Sequence, residues 1–214
     1  MWVSSARVKE KWNVVLPVLL LVAFAITRWP GFMPPNFSAA YALAFCAGAF
    51  IPARFVWWLP FAVMLVSDII INIFHYKVAP LGAYMLTSYS LYALLILLGR
   101  KIGPKAGFLK LLGGGILGAF LFYVISNTFA WIGNPAYLKT LEGWIKALTT
   151  GIDGFPPTWT FLKNTLMSGG IFTGLFVGAM KLAEAEAKEP EPKEQEEPEK
   201  SGEAEKPAGE EAKA

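Results

Sequence analysis

Asp68, Asn72 and His75 stand at i, i+4 and i+7 in an otherwise apolar stretch, a spacing that lines all three along one face of a helix. An ionisable side chain inside a membrane span costs on the order of 3 kcal/mol to insert, so Asp68 needs a partner or a purpose. A carboxylate, an amide and an imidazole in one row can accept and donate hydrogen bonds to a polar solute. Other polar side chains fall toward the same side of the hydrocarbon: Arg28 and Asn36 bracket a first loop, Ser126, Asn127 and Trp131 close a later span, and Asn164 opens the last one. Together they outline a cavity at one mouth of a helix bundle. There Asp68 supplies charge or an acceptor, and Asn72, His75, Asn127 and Asn164 orient the solute. On this reading Asp68→Ala abolishes solute binding and leaves insertion and helicity intact. The alternative is structural: Asp68 pairs with Arg28 or His75 as a bridge and binds nothing.

The elements that must hold these residues follow from composition. The chain has 214 residues, 55% hydrophobic and only 16% charged, against about 25% charged in soluble domains. Residues 1–183 hold 14 Lys and Arg but only four acids, Glu10, Asp68, Glu142 and Asp153. Residues 184–214 hold 12 Glu and 5 Lys with no aromatic or branched aliphatic side chain, too little apolar surface to offset ordering. The expectation is an all-α integral membrane domain over 1–183 and an acidic, disordered cytoplasmic tail over 184–214.

Several chemistries drop out. One cysteine, Cys46, and one histidine, His75, exclude a disulfide framework and Cys- or His-cluster metal centres, so no metal and no cofactor is expected. No phosphate-cradling G-x-x-x-x-G-K-[ST] stretch occurs. Nucleic acid is not an expected partner, because the basic residues sit at the ends of apolar runs, where they set membrane orientation. Catalysis is not expected either. Ser168-Gly169 with His75 would suggest a rhomboid-type pair, but Leu166 stands where that motif has glycine. A proton-coupled carrier could use Asp68, yet no internal repeat relates residues 1–90 to 91–182.

Apolar runs long enough to cross about 30 Å of hydrocarbon predict roughly six spans: Trp12–Thr27, Phe37–Phe50, Val56–Phe74, Leu81–Leu98, Phe108–Trp131 and Phe161–Leu182. The first doubles as a possible secretory signal, with Arg7, Lys9 and Lys11 before it and Ala23-Phe24-Ala25 at its end. With the N-terminus inside, Arg7, Lys9, Lys11, Arg54, Arg100, Lys101, Lys105, Lys110 and Lys181 are cytoplasmic, against Arg28, Lys77, Lys139, Lys146 and Lys163 outside. This bias predicts a multi-pass protein of the bacterial inner membrane with both termini in the cytoplasm. Trp29, Trp57, Trp58, Trp131, Trp144 and Trp159 fall near span ends, as interfacial anchors do, and Trp131 and Trp159 could also stack on a ligand ring. In the last outer loop Leu138, Leu141, Ile145 and Leu148 recur at helical spacing opposite Lys139, Glu142 and Lys146. They predict a short amphipathic helix, either lying on the lipid surface or packed on the bundle.

Small residues recur every fourth position in three spans: Ala40, Ala44 and Gly48; Gly114 and Gly118; Gly170, Gly174 and Gly178. Such faces let backbones approach closely in lipid. They serve packing within the bundle or docking of another membrane protein.

Three stretches carry a family resemblance. They are Pro35-Asn36-Phe37-Ser38 with the small-residue helix Ala39–Phe50; Leu59-Pro60 with Met64 and Ser67-Asp68; and Ser126-Asn127 with Trp131, Tyr137-Leu138-Lys139-Thr140, Gly143, Pro156, Lys163-Asn164-Thr165-Leu166, Thr173 and Gly178. This pattern resembles a family of uncharacterised bacterial membrane proteins of transport type. That family is in turn similar to the substrate-binding S components of energy-coupling factor (ECF) vitamin transporters. The resemblance implies a six-helix protein that binds a micronutrient at its outer side and couples to a separate transmembrane scaffold and a pair of ABC-type ATPases. Ala40, Ala44 and Gly48 would meet that scaffold. The chain departs from the pattern at Thr149–Trp159, with an Asp-Gly and a Pro-Pro where a shorter turn is expected. The rival expectation is a non-catalytic accessory subunit of a larger membrane complex.

Overall fold

The structure, a computed structural model, describes Phe24 and residues 26–186. The expected first span, apart from its last residues, and the acidic tail beyond 186 lie outside the described residues. In chain order the elements are α1 (Ala40–Phe50), α2 (Ala53–Val56), α3 (Leu59–Ile70), a π-helical turn (Ile71–Tyr76), α4 (Tyr84–Ile102), α5 (Phe108–Gly133), α6 (Leu141–Leu148) and α7 (Thr158–Glu186). Among the described residues the fold is all-helical, with no strand.

Six spans are expected from the sequence; among the described residues four helical segments are long and apolar enough to cross a membrane. They are Ala53–Tyr76, Tyr84–Ile102, Phe108–Gly133 and Thr158–Ala185. The shortest has 19 residues, about 28 Å at 1.5 Å per residue. The expected span Phe37–Phe50 instead yields the 11-residue α1, about 16 Å and too short to cross alone. Its length is cut at both ends by local chemistry. Pro34 and Pro35 form a turn with Asn36 in the left-handed region (φ 62°), which delays the helix start. Pro52 follows Ile51 in extended backbone and stops it.

Helix α1 lies at the centre. Every residue from Ala40 to Ala49 is buried, packed among α4, α5 and α7. Its alanines let the neighbours close in, and Gly48 and Gly99 bring two backbones into direct contact. A β-carbon on Gly48 would overlap the carbonyl oxygen of Ile96, and one on Gly99 would overlap that of Phe45. The row Ala40, Ala44 and Gly48 is therefore covered by the bundle's own helices. Outward faces are apolar instead, with Leu109 79% and Leu175 61% exposed.

Helices α5 and α7 meet through a second set of small residues. A β-carbon on Gly115 would stand 2.5 Å from Thr173 Cγ2, and one on Gly169 would stand 2.6 Å from Ala119 Cβ. The regular row Gly170, Gly174 and Gly178 faces Ile116, Leu112 and Phe108 at 3.6 to 4.0 Å, ordinary contact distance. At this interface the row Gly170, Gly174 and Gly178 thus tolerates a methyl group, whereas Gly115 and Gly169 do not. Gly174→Ala should leave the thermal midpoint in detergent at or slightly above that of the parent, since alanine favours helix by about 1 kcal/mol. Gly115→Ala should lower it by several degrees through the clash with Thr173. Scanning fluorimetry of both variants checks the pair, and equal midpoints would contradict this packing.

The two ends of the bundle differ. At one end the short connector 103–107 joins α4 to α5, Gly103 ends α4 with φ 74°, and Lys181 Nζ donates to Pro104 O at 2.7 Å. At the other end gather the loop before α1, the turn between the π-helical segment and α4, and α6 with its flanks. Asn164 Nδ2 ties the start of α7 to this end by donating to Pro35 O at 2.9 Å.

Candidate functional site

The site is built at that loop-rich end. Asp68 stands at the end of the middle third of the Ala53–Tyr76 segment, eight residues or about 12 Å inside its end. It is 7% exposed. A carboxylate this deep requires compensation, and two side chains provide it. Arg28 Nη2 pairs with Asp68 Oδ1, and Tyr89 Oη on α4 donates to Asp68 Oδ2 at 2.9 Å. Both carboxylate oxygens are engaged.

Arg28 is positioned from the other side by packing and a local hydrogen-bond relay. Its guanidinium carbon lies 5.5 Å from the centroid of the buried Phe24 ring, a cation–π contact. Thr27 Oγ1 donates to Phe24 O at 3.0 Å and accepts from Ala39 N at 3.1 Å, fastening the segment to the start of α1. Arg28 Nε is buried and, among the described residues, has no hydrogen-bond partner.

Arg28 also lines a cavity of about 460 Å³. Its wall is the loop Trp29–Ser38, stiffened by Pro30, Pro34 and Pro35, and its lining also includes the buried Tyr41 and Tyr92 and the exposed Tyr76. Below, Tyr41 and Tyr92 pack against Phe122 at centroid distances of 4.9 and 5.2 Å, and Tyr92 neighbours Tyr89 at 6.5 Å. The cavity floor is thus an aromatic cluster that also carries one of the two supports of Asp68. Tyr41 Oη donates to Asn36 O at 3.3 Å, and Phe37 packs edge-on against Phe172. These contacts fold the loop over α1 and α7.

The residues singled out in the sequence divide into three groups. Arg28 and Asn36 line the cavity; Asp68 stands behind Arg28 and is not among the lining residues. Asn72 is buried and fully occupied: its Nδ2 donates to Pro80 O at 3.0 Å, and its Oδ1 accepts from Tyr84 Oη at 2.9 Å. It holds the turn that follows the π-helical segment, with Lys77 left-handed at φ 55°. His75 is exposed and stacks edge-on with Trp29 at 6.0 Å, reaching the cavity wall only from outside. Asn164 supports the loop through Pro35.

Asn127 and Trp131 belong elsewhere. Asn127 Nδ2 donates to Tyr123 O of its own helix at 2.9 Å, and Trp131 Nε1 donates to Leu138 O at 2.8 Å. They help form the corner where α6 docks on α5. Thr140 Oγ1 caps α6 by accepting from Gly143 N at 3.2 Å, and Trp144 Nε1 donates to Thr128 Oγ1 at 2.9 Å. Of the two alternatives for the amphipathic helix, packing on the bundle is seen on one face, while Leu138 and Leu141 remain 70% exposed. Trp159 is exposed.

Sequence reasoning missed the tyrosines. Tyr89 and Tyr92 lie in an apolar span, and a phenol there needs a partner for its hydroxyl; that was the available signal. Among the described residues no group of three or more His, Cys, Asp or Glu is placed to hold a metal ion. The arrangement offers a guanidinium, hydroxyls and aromatic faces around an open space, which suits binding.

Residues 8–193 match the profile of a protein family described as a family of unknown function, DUF6580. No curated protein and no solved structure matches the chain.

Proposed function

The chain belongs to the DUF6580 family, and we propose that this member binds a small solute at the loop-rich end of its bundle for import across the bacterial inner membrane. The observation that carries the reading is the 460 Å³ cavity lined by Arg28 and by Trp29, Tyr41, Tyr76 and Tyr92. Ligand sites combine apolar and aromatic walls with a few placed polar groups, as here. The resemblance to S components supplies the rest of the proposal. On that reading six helical segments make the bundle, one before α1, the short buried α1 and the four long ones, with both termini cytoplasmic and the cavity outside. Transport then depends on a separate membrane scaffold and ATPases.

The second reading is an accessory subunit, favoured by one observation: Asp68 has both oxygens occupied by Arg28 and Tyr89, as a structural bridge would. Purification of the full chain from its native cell in mild detergent, with mass spectrometry of co-purifying proteins and small molecules, separates the two. Solute import predicts one stoichiometric small molecule, an ATPase pair with a scaffold, or both. An unrelated membrane complex with no solute would overturn it in favour of the accessory role.

A further inference from the structure

Resting on the solute-binding reading, we propose that the cavity selects a planar solute carrying a hydrogen-bond acceptor, a carboxylate above all, and that Arg28 rather than Asp68 is the charged side chain that meets it. The sequence alone does not separate a vitamin from an amine or a metal chelate. Burial and hydrogen bonding decide among them.

An amine is met by a carboxylate or by aromatic faces, and here the Arg28 guanidinium stands among the rings and repels a second cation. Among the described residues no acidic side chain lines the cavity. Asp68, the buried acid behind Arg28, has Oδ1 on Arg28 and Oδ2 on Tyr89. Arg28, in contrast, has donors to spare. A guanidinium carries five N–H bonds in a planar fork. Asp68 engages it through Nη2, and Nε is buried without a partner among the described residues. Nε is sealed from the cavity, so the donor left for a ligand acceptor is Nη1, which makes no hydrogen bond among the described residues. Tyr89 donates to Asp68 Oδ2, so the carboxylate is shared between two donors and holds Arg28 through one oxygen only. Two-oxygen acceptors suit the fork geometry best.

Planarity follows from the walls. Trp29, Phe37, Tyr41, Tyr76 and Tyr92 present rings, and three prolines keep the loop that carries Trp29 and Phe37 in shape. Rings at fixed positions favour flat solutes through stacking and edge contacts. Asp68 and Tyr89 are then positioning residues that act through Arg28.

The test uses the full-length protein in lipid nanodiscs and three matched probes: 2-naphthoate, 2-naphthamide and 2-naphthylmethylamine, followed by calorimetry or ligand-detected NMR. Naphthoate should bind at least roughly tenfold tighter than the amine, as expected for a charge-assisted hydrogen bond. Removing Arg28 alone strands Asp68, so the double variant Arg28→Gln with Asp68→Asn keeps a neutral, hydrogen-bonded pair. It should lose naphthoate binding roughly tenfold or more while retaining the amide. Asp68→Asn alone should raise the ratio of naphthoate to naphthamide affinity, because the guanidinium is left uncompensated. A merely structural Asp68 would weaken both probes equally. Amine binding as tight as naphthoate binding would overturn the proposal and leave solute binding standing. Failure of all three probes at millimolar concentration would also overturn it, whereas the solute reading falls only if the native preparation carries no small molecule.

Discussion

Gly48→Ala should cost this protein about 3 kcal/mol of stability, an unusually large effect for one added methyl group. The β-carbon would overlap the carbonyl oxygen of Ile96 and stand 2.9 Å from that residue's α-carbon. Both obstacles are backbone, so no rotamer change relieves them. Helix α1 cannot move away either, because its residues Ala40–Ala49 are buried against α4, α5 and α7. The reciprocal substitution Gly99→Ala meets Ala49 N at 2.9 Å and the Phe45 carbonyl, and should cost a similar amount. Gly113→Ala is the control, since nothing lies within 4 Å of its β-carbon position. Thermal midpoints in one detergent, with monomer yield from gel filtration, read all three. A Gly48→Ala midpoint indistinguishable from that of Gly113→Ala would refute the close approach of α1 and α4.

The second large effect is at the buried ion pair. Asp68→Ala should destabilise by roughly 3–5 kcal/mol, the range seen when one member of a buried pair is removed and the other is left charged. Arg28 would keep its charge with its side chain 15% exposed. Arg28→Met should cost a comparable amount by stranding Asp68, whose side chain is 9% exposed. The double variant Arg28→Met with Asp68→Leu should recover most of the loss, because apolar groups of similar size often replace a buried pair without penalty. A thermodynamic cycle over the four proteins gives the coupling directly. If Asp68→Ala is as stable as the parent, the pair is not holding the bundle together. The expectation that this variant keeps its fold and loses only binding assumed an acid facing the solute. With Arg28 and Tyr89 on its two oxygens, loss of binding in Asp68→Ala would report loss of structure as much as loss of contact.

The sequence by itself determined the class of the molecule. Long apolar runs and four acids in 183 residues dictate helices long and apolar enough to cross a membrane, because hydropathy and helical period are local properties of the chain. The cost of a buried carboxylate also marked Asp68 and named Arg28 among its possible partners. Only the tertiary structure decided between Arg28 and His75, since the chosen partner lies 40 residues away, and both lie near enough in sequence-level reasoning to qualify. The structure likewise assigned Asn72 to a turn and Asn127 to the α5–α6 corner, although their spacing places them on plausible faces. It made α1 a short buried core helix, because the proline boundaries cut its length and the fit of Gly48 to Gly99 set its depth. Periodicity tells which side chains share a face, but what that face meets depends on which distant backbones can approach it, and steric fit between helices far apart in the chain decides that.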